Sequence, residues 1–150
     1  MPKSTPTCNS ILALMYNAAA WANVADNTGT SPATNVYVSL HTSTLTAGTD
    51  SQLENETGYT DYARKAVART DSGWTTPSGG STNNVAQIQF HVCGASGSTV
   101  TYVATGAALT LAGHVWHYGS LNSPLAVSSN ITPQFAATQL PLSLDTEKHR

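Results

Sequence analysis

The clearest alternation of apolar and polar positions in this chain runs through Asn35-Val36-Tyr37-Val38-Ser39-Leu40-His41-Thr42. Val36, Val38 and Leu40 fall on one side and Tyr37, Ser39 and His41 on the other, which is the period-two pattern of a half-buried strand. A weaker alternation covers Tyr62 to Thr70, with Ala63, Lys65, Val67 and Arg69 opposite Tyr62, Arg64, Ala66 and Ala68. A third places Ala86, Ile88, Phe90 and Val92 opposite Gln87, Gln89 and His91. Shorter runs predict strands at Thr99–Ala104, Leu109–Leu111, His114–Ser120, Leu125–Val127 and Gln139–Leu144. In the last of these Pro141 cannot donate to a ladder, which argues for an edge position.

One stretch has a different period. Ile11, Leu12, Leu14, Met15, Ala18, Ala19, Trp21, Ala22 and Ala25 recur at three and four residues, and predict a helix of about four turns. Asn9 or Ser10 would cap its start, and Asp26-Asn27-Thr28-Gly29 would end it. Residues 1–8, with Pro2 and Pro6, read as a polar arm that orders against a neighbour. Residues 9–144 read as one domain, and residues 145–150 as a charged tail.

Between the strands lie two long connections. Ser43 to Glu56 has no periodicity and collects Asp50, Glu54 and Glu56, and loops of that length inside compact domains are uncommon unless they have a role. Asp71 to Asn84 is rich in Gly and Ser, with Trp74 as its one large apolar residue. Gly94-Ala95-Ser96-Gly97-Ser98 is a turn by composition. Seven or eight short strands joined by such turns, with one N-terminal helix, indicate a mainly β fold: a jelly-roll-like or other β-sandwich.

Composition changes this picture at one point. Only 9% of the 150 residues are charged, against ~25% in ordinary soluble domains, while Thr, Ser and Asn make up about a third of the chain. A surface so poor in charge is suited to being partly covered by assembly; Thr and Ser richness is also simply common in β proteins. The formal charge of −2 and six scattered basic residues remove the basis for nucleic-acid binding. Cys8 and Cys93 have no CxxC spacing and read as reduced thiols, and no signal peptide or membrane span is evident.

Candidate chemistry is sparse. In His114-Val115-Trp116-His117 a strand would send the two imidazoles to opposite faces, so they cannot share one metal ion. His41 and His91 sit on polar strand faces, where a solvated or hydrogen-bonded imidazole is expected. No Gly-x-Ser-x-Gly elbow occurs. Asp50, Glu54, Glu56 and Asp61 are the only local group of acids; glycoside cleavage needs two carboxyls at a fixed separation, which a mobile loop does not supply. The same oxygens could take a divalent cation. Trp74, Trp116 and Tyr118 could stack on a sugar, with burial as the plainer alternative. No cofactor is expected.

The order of the helix, then Val36-Tyr37-Val38-Ser39-Leu40-His41-Thr42, then Gly58-Tyr59-Thr60-Asp61-Tyr62-Ala63-Arg64-Lys65-Ala66-Val67 resembles a family of small tailed-bacteriophage proteins commonly labelled tail-fibre or virion structural proteins. Asn84 to Phe90, Tyr118-Gly119-Ser120-Leu121-Asn122-Ser123-Pro124 and Ile131-Thr132-Pro133-Gln134-Phe135-Ala136 extend the resemblance, whereas Ser43-Thr44-Leu45 and Gly106 to Gly113 depart from it. The resemblance implies a non-enzymatic virion subunit, assembled in the host cytoplasm. Its first expected role is a self-associating capsid cement or decoration protein, a dimer or trimer bound to the major capsid protein. The alternative is a tail-fibre or tail-tip module contacting the host surface, with glycans as candidate ligands. The candidate contact residues are Lys3, Thr5, Trp21, Asp50, Glu54, Glu56, Trp74, Trp116 and Tyr118, drawn from the arm, the long loop and the aromatics. Nucleic acid and membrane are not expected partners.

Overall fold

The computed structural model describes residues 3–29, 31–46 and 51–144. Among these residues one helix, α1 (Thr5–Tyr16), precedes eight strands: β1 (Asn35–His41), β2 (Lys65–Ala68), β3 (Ser81–Thr82), β4 (Ile88–Gln89), β5 (Ser98–Gly106), β6 (Val115–Val127), β7 (Gln134–Phe135) and β8 (Leu142–Ser143). The fold is therefore mainly β with a single N-terminal helix, as the alternation indicated. The strands form one four-stranded sheet in the order β2-β1-β5-β6 and two two-stranded ribbons, β3-β8 and β4-β7. A jelly roll would instead share eight strands between two sheets.

The chain gathers into two compact units. The first comprises Met1–Thr34, Ala68–Gln87 and Phe135–Arg150, and the second Asn35–Val67 and Ile88–Gln134.

In the first unit α1 begins four residues before the predicted start. Ser4 is the N-cap, its hydroxyl accepting from the Thr7 N–H at 3.4 Å. Pro6 sits in the first turn, where its missing N–H costs nothing because that group would have no helical partner. Residues 5–8, expected in the arm, are thus helical. Cys8, Leu12 and Tyr16, four residues apart, form the buried stripe, each worth roughly 1.5–3 kcal/mol where a full side chain leaves water. Tyr16 meets the buried Trp74 edge to face at 4.9 Å between centroids. The α1·β3 packing and the β3-β8 ribbon, with Ser81 opposite Ser143 and Thr82 opposite Leu142, complete this unit.

The helix also ends about nine residues early. Asn17 is the C-cap and Ala18 turns into the left-handed region at φ 54°. Trp21 to Ala25, expected in the helix, forms a tight turn closed by Trp21 N–H to the Ala25 carbonyl at 2.7 Å. The stop is made by Arg69. Its guanidinium donates to the carbonyls of Leu14 and Met15, each at 2.6 Å, and also to the Ala33 carbonyl and Asn27 Oδ1. A cation on the last carbonyls is favourable in hydrogen bonding and against the helix dipole.

In the second unit β1 pairs antiparallel with β5, from Tyr37 opposite Gly106 to His41 opposite Tyr102. β5 pairs in turn with β6 from Ser98 opposite Val127 to Gly106 opposite Val115, with register shifts on the way. Val36, Val38, Leu40, Val100, Val103 and Ala104 supply the apolar core of this sheet. The other face of β1 is not solvated as the alternation suggested, since Ser39 and His41 are fully buried. Of the strand predicted over Ala86–Val92 only Ile88–Gln89 is regular, although Ile88 and Phe90 are buried as expected. The run from Leu125 to Val127 is the end of a single long β6. Leu109–Leu111 is not a strand but the tip of the β5–β6 hairpin.

Candidate functional site

The most constructed part of the second unit is where the long connection returns to β1. Thr42 N–H bonds to the Asn55 carbonyl at 2.8 Å and Thr57 N–H to the Leu40 carbonyl at 2.9 Å, so residues 55–57 run antiparallel beside the end of β1. That return places Glu56 against Arg64. Two parallel bonds, Nε to Oε1 at 2.7 Å and Nη2 to Oε2 at 2.8 Å, make a fork-on-carboxylate pair that is almost fully buried. The Tyr62 hydroxyl donates to the same Glu56 Oε1 at 2.8 Å while accepting from Leu40 N–H at 3.0 Å. Burial, reinforced by the Glu56 charge, raises the Tyr62 phenol far above its ordinary pKa and keeps it a donor.

Arg64 has two further N–H groups engaged. Nη1 donates to the Ala108 carbonyl and Nη2 to the Leu111 carbonyl, both at 2.9 Å. From the other side Gln52 holds the same hairpin tip. Its Oε1 accepts from Ala108 N–H at 3.2 Å, its backbone N–H donates to the Gly113 carbonyl at 3.0 Å, and its Nε2 donates to the Tyr37 carbonyl at 3.1 Å. Gly106 and Gly113 flank the tip because the Gln52 side chain passes there: a Cβ on Gly106 would lie 2.4 Å from Gln52 Cδ, and one on Gly113 2.7 Å from Gln52 Oε1.

His41 belongs to the same region. Its Nδ1 lies 2.8 Å from the Glu54 carbonyl, which can only accept, so Nδ1 carries the proton and Nε2 accepts from the Ser39 hydroxyl at 2.9 Å. Burial lowers the imidazole pKa, favouring this neutral form. The expectation of a hydrogen-bonded histidine is met, on a face that is buried instead of wet.

The predicted contact residues are distributed as follows. Lys3 and Thr5 are exposed at the start of α1, Trp21 is half-buried in its turn, and Trp116 and Tyr118 lie on β6, Tyr118 being 45% exposed. Asp50 lies outside the described residues. Glu54 is partly buried and accepts from Thr46 N–H at 3.0 Å and Thr46 Oγ1 at 2.6 Å. Two assignments are corrected. Glu56 is engaged by Arg64 and Tyr62 in the interior of its unit, and Trp74 is fully buried beneath α1, so neither presents a side chain for outside contact. Of the local acidic group, Glu54 and Glu56 each face protein donors, and among the described residues no three such groups gather.

Sequence reasoning missed Arg64, Arg69 and Gln52 as organising residues. Arginines in an otherwise Ala-rich strand were a usable signal, since a cation buried there must find several acceptors. It also missed the tip leucines. Leu109 is 50% exposed, Leu111 75% at φ 63°, and Leu53, next to Gln52, 51%. Among the described residues no group of three or more His, Cys, Asp or Glu could hold a metal, and no helix is long and apolar enough to cross a membrane.

A family model described as podophage GP4 fiber I protein gp80 matches residues 13–143 of the chain. No curated protein matches it significantly.

Proposed function

Because the chain belongs to the family of the podophage GP4 fiber I protein gp80, and is thereby a phage virion structural protein, we propose that it is a non-enzymatic, self-associating fibre subunit that works through surface contact. The family match over residues 13–143 carries this reading. The side chains support it: Glu56, Arg64 and Tyr62 are engaged with one another and His41 with the Glu54 carbonyl, as scaffold groups are. Its partners are further copies of itself and other proteins of the same particle.

Capsid cement is the second reading, favoured by the absence of internal repeats and by the low charge, which suits a subunit largely covered on a shell. Gold-labelled antibody against the chain, applied to intact particles in the electron microscope, separates the two. Label at projecting fibres supports the first, an even coat over the head supports the second, and unlabelled particles refute both.

A further inference from the structure

We infer that His41 is a proton-operated latch: a proton on its imidazole frees residues 51–55 from the end of β1 and so unties Gln52 from the tip of the β5–β6 hairpin. The device lies wholly within the second unit, and it does not depend on where the chain stands on the particle.

The geometry is an unbroken chain of hydrogen bonds from the imidazole to the tip. His41 Nδ1–H donates to the Glu54 carbonyl at 2.8 Å, and Nε2 accepts from the Ser39 hydroxyl at 2.9 Å. The Ser39 oxygen accepts in turn from Gln52 Nε2 at 3.3 Å, and Gln52 Oε1 accepts from Ala108 N–H at 3.2 Å. Ser39, His41 and Gln52 are all fully buried, so each depends on the others for its partners. A proton on Nε2 reverses the polarity of the chain. Both ring nitrogens become donors, and the Ser39 hydroxyl hydrogen has to turn away. Its other acceptor, the Ala104 carbonyl, stands at 3.5 Å, the outer limit of a hydrogen bond.

The new charge also meets carboxylates that are already engaged. On the returning connection Glu54 is turned to Thr46, and Glu56 is shared by Arg64 and the Tyr62 hydroxyl. Arg64 itself repels an imidazolium. Tyr62, and Tyr102 opposite His41 on β5, bring phenol groups and no carboxylate. A buried cation so placed gains by being wetted, and the segment that covers it is residues 51–55, because the Glu54 carbonyl sits on Nδ1. Glu56 is clamped by Arg64 and marks where the freed segment ends, while Arg64 keeps its own hold on the Ala108 and Leu111 carbonyls. The tip is therefore loosened and not undone. The sign follows from burial, which lowers the imidazole pKa in the closed form. The open form binds the proton more strongly, so it gains as pH falls below about 6.5, by up to about tenfold per pH unit.

The test is amide hydrogen exchange on the full chain at about pH 7 and about pH 5, each rate corrected for the intrinsic effect of pH on exchange. Three amides report on the latch: Thr42 N–H on the Asn55 carbonyl, Gln52 N–H on the Gly113 carbonyl and Ala108 N–H on Gln52 Oε1. Two others in the same unit serve as controls, Thr57 N–H on the Leu40 carbonyl and Cys93 N–H on the Ile131 carbonyl. Protection of the three reporters is expected to fall about tenfold at the lower pH, while the two controls keep theirs. In His41→Gln the reporters should show no such dependence, although His117 is still there to titrate. Equal loss at reporters and controls would mean that the unit melts as a whole, and would overturn the inference. So would reporters indifferent to pH, or a pH response that survives in His41→Gln. Should that variant not fold, the wild-type contrast between reporters and controls decides alone.

Discussion

Arg64 and Glu56 meet in a two-pronged buried ion pair, with bonds of 2.7 and 2.8 Å, and the same guanidinium reaches the Ala108 and Leu111 carbonyls. One arginine thus joins the returning long connection, the start of β2 and the β5–β6 hairpin within the second unit. Its five donors in a flat fork suit that task, and a lysine ammonium could not reproduce the arrangement.

Removing one partner should be severe. Arg64→Ala leaves Glu56 buried without its cation and two carbonyls without donors, and is expected to cost about 3–5 kcal/mol in urea unfolding. Arg64→Lys should recover only part of that. The double replacement Glu56→Met/Arg64→Met should be less damaging than Arg64→Ala alone, because no buried charge is stranded. If the double variant is the worse of the two, the pair is not acting as described.

Arg69 closes α1 in the first unit through the Leu14 and Met15 carbonyls. Burial lowers its pKa from the usual arginine value, and the carbonyls around it are acceptors for the charged form. Arg69→Ala should destabilise by at least about 2 kcal/mol, since several buried acceptors lose a charged donor at once. Hydrogen exchange should show the loss first at the last turn of α1. Unchanged protection at Tyr16 and Asn17 would contradict the capping role.

The pH response follows from His41 and His117, whose pKa values burial lowers below 6.5. A folded pKa below the unfolded one means that the unfolded chain binds more protons in the window between them. Stability is then full above about pH 6.5 and falls as pH drops toward the folded values, by up to about 1.4 kcal/mol per unit for each histidine. For His41 the surrounding charges are Glu54, Glu56 and Arg64, with burial outweighing them. Melting temperature should fall between pH 7 and pH 5, and His41→Gln should flatten that slope. A slope unchanged by His41→Gln would show that His41 is not the titrating group.

Gly106 is required by close approach. An added Cβ would sit 2.3 Å from the His114 carbonyl oxygen and 2.4 Å from Gln52 Cδ, whereas one on Gly58 would meet nothing within 4 Å. Gly106→Ala should therefore cost about 1–3 kcal/mol and loosen the hairpin tip, while Gly58→Ala meets no steric obstacle. Equal melting temperatures for the two variants would argue against the Gln52 buttress.

The strands with a single apolar face were legible: Val36, Val38 and Leu40 mark β1, and Val100, Val103 and Ala104 lie in the buried part of β5. The polar face of β1 was misleading because Gln52 and the Glu54 carbonyl, more than ten residues away, satisfy Ser39 and His41 and let them be buried. The helix was displaced for two reasons. Pro6 falls in the stretch expected as a polar arm yet marks a first turn, and the apolar spacing continues past Tyr16 although Arg69 stops the helix from a position 54 residues further along. Leu109-Thr110-Leu111 alternates like a strand, yet Gly106 and Gly113 on either side are loop punctuation and bracket the connection between β5 and β6. Pairings such as Glu56 with Arg64 depend on loop return, which no local pattern encodes.

The most direct measurement is the copy number of this chain in purified particles, by quantitative mass spectrometry, before and after heads are separated from tails and appendages. A fibre subunit is predicted in a small, fixed number per particle that leaves with the appendages. Absence from purified particles would contradict the account outright, and a count comparable to the shell protein, retained on heads, would replace the fibre role with cementing of the capsid.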